Sequence, residues 1–161
     1  MTERGEAQEA WEMIARQRVA MLTTEEGGEI VTRPMGSLAR PEDGKIYFVS
    51  HKGAGVLGEI GASARVNLAY CDPSKNEYVS VSGTASVSQD REKLRELWSM
   101  WTEAWLPEGP DGEDVVLITV TPGETKLWNA TSSSAIYVAK VLAAVARQSP
   151  PDGGTVKQVH L

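Results

Sequence analysis

The chain has 161 residues, enough for one domain whose core needs no covalent staples, and a formal net charge of −6. That charge speaks against binding to a phosphate backbone, so nucleic acid is not an expected partner. A single cysteine, Cys71, and two histidines, His51 and His160, exclude an internal disulfide framework and a multi-cysteine metal site, and no metal is expected.

The first segment, MTERGEAQEAWEMIARQ, is charged and lacks the apolar stretch of a secretion signal. It reads as a helix over 6–18, with Trp11, Ile14 and Ala15 at helical spacing. No run approaches the ~18 apolar residues of a membrane span. A cytoplasmic, reducing location is expected, with Cys71 a buried small hydrophobe.

Two strands follow in VAMLTTEEGGEIVTRPMGSLAR, around a Glu-Gly-Gly turn at 26–28. Alternation puts Val31, Arg33 and Met35 on one face and Ile30, Thr32 and Pro34 on the other. A guanidinium among apolar neighbours needs an anion or hydrogen-bond partners. Its fork suits phosphate, and it equally suits the carboxylate that pairs with many edge arginines. Pro34 has no N–H for a ladder, so it marks an edge or an opening of the sheet.

PEDG at 41–44 is turn chemistry, and KIYFVSH is a third strand. Pairing of the flanking strands around this turn would bring Arg33 and Lys52 to one ligand, with Thr32 and Ser50 as hydroxyl donors. The loop KGAG leads into a short helical piece near VLGEIGA. RVNLAYC is a fourth strand, DPSKN a turn, and EYVSVSGTASVS, 77–88, a fifth strand with Val79, Val81, Gly83, Ala85 and Val87 on one face.

Asp90 caps the next expected helix, REKLRELWSMWTEAW, whose stripe of Leu94, Leu97, Trp98, Trp101 and Trp105 reads as core. After the acidic loop LPEGPDGED come two more strands, VVLITVTP and ETKLWNA. Ser132 to Ser134 cap a last helix, AIYVAKVLAAVAR, carrying Ile136, Ala139, Val141, Leu142 and Val145; exposure of these would call for a partner. QSPPDGGTVKQVHL reads as a polar, mobile end. The expected organisation is a domain over 1–147 and a tail over 148–161. Its class is mainly β with peripheral helices: six or seven antiparallel strands in hairpin order, forming a closed or half-closed barrel.

VTRPMG, IYFVSHK, the pair Glu59-Ile60, RVNLAY, YVSVSGTASV, LWSMWTEAWLPEGP and VVLITVTPGETKLWN, in that order, resemble the pyridoxamine 5′-phosphate oxidase-like family. The nearest branch is that of the bacterial general stress proteins, and the resemblance covers about residues 8–130. It implies a split β-barrel and a homodimer with flavin mononucleotide (FMN) in a groove between the subunits. Carried over by position, Arg33 and Lys52 hold the flavin phosphate. Thr32, Pro34 and Met35 line the ring, and Val49, Ser50 and His51 face ring or phosphate. Trp128 resembles a late aromatic that closes the pocket, and a core tryptophan is the competing reading.

Two features depart from the family pattern. Relatives often carry a second lysine shortly before the Glu-Ile pair, where this chain has the apolar Val56; the N–H groups of Gly53 to Gly55 are a substitute anion nest. The arginine-containing final strand of true pyridoxamine phosphate oxidases is missing, so that substrate is not expected. The resulting expectation is a flavin-dependent oxidoreductase linked to general stress, acting on an unidentified small molecule, with no catalytic residue assigned. Its alternatives are a non-catalytic flavin carrier or redox sensor, and use of FAD or a deazaflavin in the same groove. A haem-handling barrel would need His51 or His160 as axial ligand, and neither lies in a haem motif.

Overall fold

The computed structural model describes residues 3–61, 64–129, 134–148 and 155–161. Its elements are α1 (Glu3–Arg16), β1 (Val19–Glu26), β2 (Glu29–Gly36), β3 (Leu38–Arg40), a 3-10 turn (Pro41–Asp43), β4 (Lys45–His51), α2 (Gly55–Ile60), β5 (Ala64–Asp72), β6 (Glu77–Ser88), α3 (Arg91–Leu97), α4 (Met100–Trp105), β7 (Val115–Asn129), α5 (Ser134–Arg147) and β8 (Thr155–His160). The strands form one antiparallel sheet in the order β2-β1-β5-β6-β7-β4-β3, with β8 also on β7.

Period-two alternation makes this sheet curl around its apolar face. Leu22, Phe48, Leu68, Val81, Ile118 and Leu127 point inward and are fully buried. Each contributes about 1.5–3 kcal/mol of burial relative to exposure. Ala10, Met13 and Ile14 of α1 and Val56 and Ile60 of α2 join the same cluster. A smaller cluster forms on the outer face, where Leu94 and Leu97 of α3 meet Tyr47, Val115 and Leu117. Asp90 caps α3 as expected, its carboxylate accepting from the Lys93 N–H at 3.0 Å.

The split lies along β7. One side of β7 pairs with β6 over its length; the other pairs with β4 from Val115 to Val120 and with β8 from Glu124 to Asn129. The two strands expected at 115–122 and 124–130 are thus one strand with a bulge. Val81 pairs with Thr125 and Gly83 with Pro122, so β7 holds one extra residue there. The extra residue reverses the inward parity, from Ile118 and Val120 to Thr125 and Leu127. Gly83 is required at this crossing, because a Cβ would lie 2.6 Å from the Thr121 carbonyl oxygen. Gly83→Ala is expected to cost about 1–3 kcal/mol, as overpacking does. The urea midpoint reads this directly, and an unchanged midpoint would show that the bulge yields.

Several expectations need correction. The helix expected over 91–105 breaks at Trp98, because Ser99 caps a new helix, its hydroxyl accepting from the Thr102 N–H. The tryptophans therefore do not form one core stripe: Trp98 is half-buried, but Trp101 is 62% and Trp105 86% exposed. Arg18 lies over the Trp101 ring at 5.1 Å. Cys71 is exposed, since β5 turns Tyr70 inward and its neighbour outward. The polar tail is not a mobile end over 155–160, where it forms β8 and completes the sheet. On α5, Val138, Leu142 and Val145 are exposed at helical spacing. The proposed cap at Ser132 and the side chain of Ile136 lie outside the described residues. No helix among the described residues is long and apolar enough to cross a membrane.

Candidate functional site

β2 pairs only with β1, so it is an edge strand, and Pro34 opposite Met21 sits where a missing N–H is tolerated. Its faces alternate as expected: Val31, Arg33 and Met35 are half-buried, while Ile30, Thr32 and Pro34 are exposed. Arg33 stands opposite Leu22 and Met35 opposite Ala20, both fully buried, so the guanidinium is held on the inner side of the barrel.

There it meets a carboxylate. Arg33 Nη2 lies 2.5 Å from Glu59 Oε2, and Nη1 donates to Thr24 Oγ1 at 2.8 Å. The Thr24 hydroxyl in turn donates to the same Glu59 oxygen. The Glu59 side chain is 5% exposed and that of Arg33 21%. Burial pushes the Glu59 carboxyl up, but the hydrogen bonds from Thr24 and Arg33 and the guanidinium charge outweigh it and hold the group below the ordinary carboxylate range. Of the two partners that a strand arginine can take, the structure shows the carboxylate.

β4 pairs with β3 around the 41–44 turn and not with β2, so Arg33 and Lys52 are not on hydrogen-bonded neighbours. β2 and β4 instead approach each other across the open seam. Lys52 is exposed beyond the end of β4, its backbone N–H donating to the Asp114 carbonyl at 2.8 Å. It enters no ion pair among the described residues. His51 is exposed beside Gly53. Val49 packs toward the α3 cluster, whereas Ser50 points inward and is buried, so these neighbours serve opposite faces. Val56 is buried in the core. The Ala54 N–H is taken by the His51 carbonyl, which removes one donor from the expected Gly53–Gly55 nest.

Thr32, Pro34 and Trp128 all point to the outer side of the sheet, but Trp128 lies on β7, four strands away from β2, so the structure does not bring it beside the other two. Cross-strand register aligns Pro34, Met21, Ala69, Ser80 and Lys126 on the outer side of the sheet. The adjacent row carries Cys71, Tyr78, Trp128 and Val156. Tyr78 and Trp128 are each 38% exposed, so Trp128 is not a core residue. An open groove of about 400 Å³ adjoins Arg33's cluster, lined among others by Thr23, Thr24, Arg65, Asn67 and Ser82. No group of three or more His, Cys, Asp or Glu side chains among the described residues is placed to hold a metal.

The sequence reading missed Thr24, Glu59 and Tyr78. For Glu59 a signal existed: it falls between Val56 and Ile60 on the inward stripe of α2, a polar residue where the helix period demands an apolar one. For a flavin ring, Thr32 and Pro34 offer an exposed surface on β2. For the phosphate, Lys52 is without a carboxylate partner among the described residues, whereas Arg33 is already paired with Glu59.

A general stress protein 26 from Jannaschia sp. CCS1 superposes with a TM-score of 0.79 at 25% identity, over 98% of this chain and 99% of that one. A structure described as the general stress FMN/FAD binding protein of Xanthomonas citri matches with a TM-score of 0.70 at 22% identity, over 81% and 92% of the two chains. The protein bli-3 of Neurospora crassa is 28% identical over 99 residues, 59% of this chain, and the chain spans about half (47%) of that relative's length. The family model described as pyridoxamine 5′-phosphate oxidase like matches residues 5–152. The fold is the split barrel of these neighbours, and the chain belongs to the pyridoxamine 5′-phosphate oxidase-like family.

Proposed function

We propose that this protein binds a flavin, FMN in the first instance, between two copies of the chain and serves as a flavin-dependent oxidoreductase of the general stress type. The observation that carries this reading is the edge strand β2, which exposes Thr32 and Pro34 on its outer side while β4, with the exposed Lys52 beyond its end, approaches it across the seam. The likeness to a general stress protein described as FMN/FAD binding supports the choice of ligand.

When bound, the isoalloxazine ring supplies the hydride or electron chemistry. The chain's own part is grip and exclusion of water. Thr32 offers a hydroxyl, already bonded to Thr23 at 2.9 Å, and Pro34 offers apolar surface on the same outer side, whereas Met35 packs against the core from the inner side. Lys52 is the exposed cation for the phosphate, with Val49, Ser50 and His51 shaping the strand that presents it. A second copy covers the outer row around Tyr78, Trp128 and Val156 and the exposed α5 residues Val138, Leu142 and Val145.

The test is gel filtration after incubation with FMN. Flavin absorbance retained in a dimer-sized peak is the expected result; a colourless monomer peak would sink both the ligand and the dimer. FAD and a deazaflavin are run beside FMN. Oxidation of a reduced nicotinamide by the loaded protein separates the oxidoreductase from a non-catalytic flavin carrier.

A further inference from the structure

We infer that Glu59 is a built-in counter-anion that occupies the phosphate-binding edge of Arg33, so that this chain holds a flavin by its ring and discriminates little between phosphorylated and unphosphorylated forms. The inference rests on the flavin reading above for its ligand, and on the Arg33–Thr24–Glu59 cluster for its cause.

Three features of the cluster make Glu59 a fixed occupant rather than a passing contact. The carboxylate is nearly enclosed, and it accepts from Arg33 Nη2 and from the Thr24 hydroxyl at the same oxygen. Arg33 Nη1 is committed to Thr24, so both terminal nitrogens of the guanidinium are engaged. The helix that carries Glu59 is anchored on either side by Val56 and Ile60, buried in the main core, which fixes the backbone from which the carboxylate reaches Arg33.

A bidentate phosphate uses two donors of one guanidinium. Here it would have to displace Glu59 or share Arg33 with a second anion at contact distance, which like-charge repulsion opposes. Arg33 and Glu59 together carry no net charge, and Val56 adds none. Two of the five guanidinium donors are thus committed, and the inner side of the seam presents a phosphate with little positive potential. Lys52 remains, but an exposed ammonium is well hydrated and screened by salt.

The experiment compares FMN with riboflavin, which shares the ring and lacks the phosphate, by fluorescence titration of the full chain and of Glu59→Gln. The wild type is expected to bind the two within about threefold of each other. Glu59→Gln removes the competing charge while keeping shape and a carbonyl acceptor, and is expected to tighten FMN about tenfold without changing riboflavin. A wild type that already prefers FMN by about a hundredfold would overturn the inference, and needs no variant to do so. An unchanged FMN-to-riboflavin ratio in a folded Glu59→Gln protein would overturn it as well.

Thermal unfolding with inorganic phosphate, against chloride at matched ionic strength, separates the two levels of the argument. If no flavin binds but phosphate stabilises Glu59→Gln and not the wild type, the flavin reading falls and the role of Glu59 stands. If neither flavin nor phosphate has any effect, both fall.

Discussion

Ending the chain at Gln148 lowers the thermal midpoint by about 10 °C, because the removed residues include β8. Val159 is 3% exposed and belongs to the main core, against Thr125 and Leu127 of β7, both fully buried. Losing it forfeits about 1.5–3 kcal/mol of burial. The ladder from Glu124–His160 to Asn129–Thr155 disappears, and the Leu161 N–H no longer reaches the Gly123 carbonyl, 3.2 Å away. The tether of α1 is lost too, since Lys157 Nζ lies 2.7 Å from Glu9 Oε2. Glu9 retains Asn129, which donates to it at 2.5 Å. A total of about 3–5 kcal/mol follows, and in a domain of this size each kcal/mol shifts the midpoint by about 2–4 °C. Circular dichroism melts of the full and shortened chains measure it. A midpoint within about 2 °C of the full chain would mean that β8 adds nothing to stability.

Arg33→Ala is expected to destabilise the protein at neutral pH and to raise the pH at which Glu59 titrates in the folded state. In the intact protein Glu59 titrates below its unfolded value. It therefore contributes stability that is present above the unfolded pKa, near 4.5, and is lost as pH falls through the folded one. Without Arg33, burial, the largest single influence and one that raises the pKa, is opposed only by hydrogen bonds with Thr24 and Glu26, so the folded pKa is expected to rise.

An unpaired, nearly enclosed carboxylate costs about 3–5 kcal/mol when its partner is removed. The partial exposure of Arg33 places the expected loss toward the lower end of that range. Protonating Glu59 relieves the penalty, so the stability gap between variant and wild type should narrow from pH 7 to pH 5. Asp43, Asp72 and Asp111 also titrate low, but they are present in both proteins and cancel in the difference. Urea midpoints at the two pH values decide it; a constant gap would show that Glu59 is not left charged and unpaired. The same coupling makes Arg33→Ala a poor probe of phosphate binding by itself, because it removes a structural partner along with any ligand contact.

Much of the barrel was legible from residue patterns. The alternation of EYVSVSGTASVS gave β6 and its inward residues, the PEDG turn ended in a left-handed Gly44 as its chemistry requires, and Asp90 marked the start of α3. Pro34 beside Arg33 correctly marked an edge. These features are local: a turn, a cap or a two-residue period needs only neighbours in the chain. The order of the family's motifs was equally legible, and it carried the choice of a split barrel.

What the chain's pattern left open were the facts settled by contacts distant in sequence. Period two says that Tyr70 and Cys71 face opposite ways, but only the packed sheet decides which one is buried. LWSMWTEAW suits one helix or two; Ser99 as a cap, with Leu94 and Leu97 docked under α3, selects two and leaves Trp101 and Trp105 outside. TVKQVH looks polar in isolation and becomes a strand because β7 offers it an unpaired edge. By itself the sequence determined that Arg33 must find an anion, since burying an unpaired guanidinium costs too much. Only the tertiary structure decided that the anion is Glu59, because α2 folds back over β1 and brings that carboxylate, 26 residues beyond Arg33 and 35 beyond Thr24, to both of them.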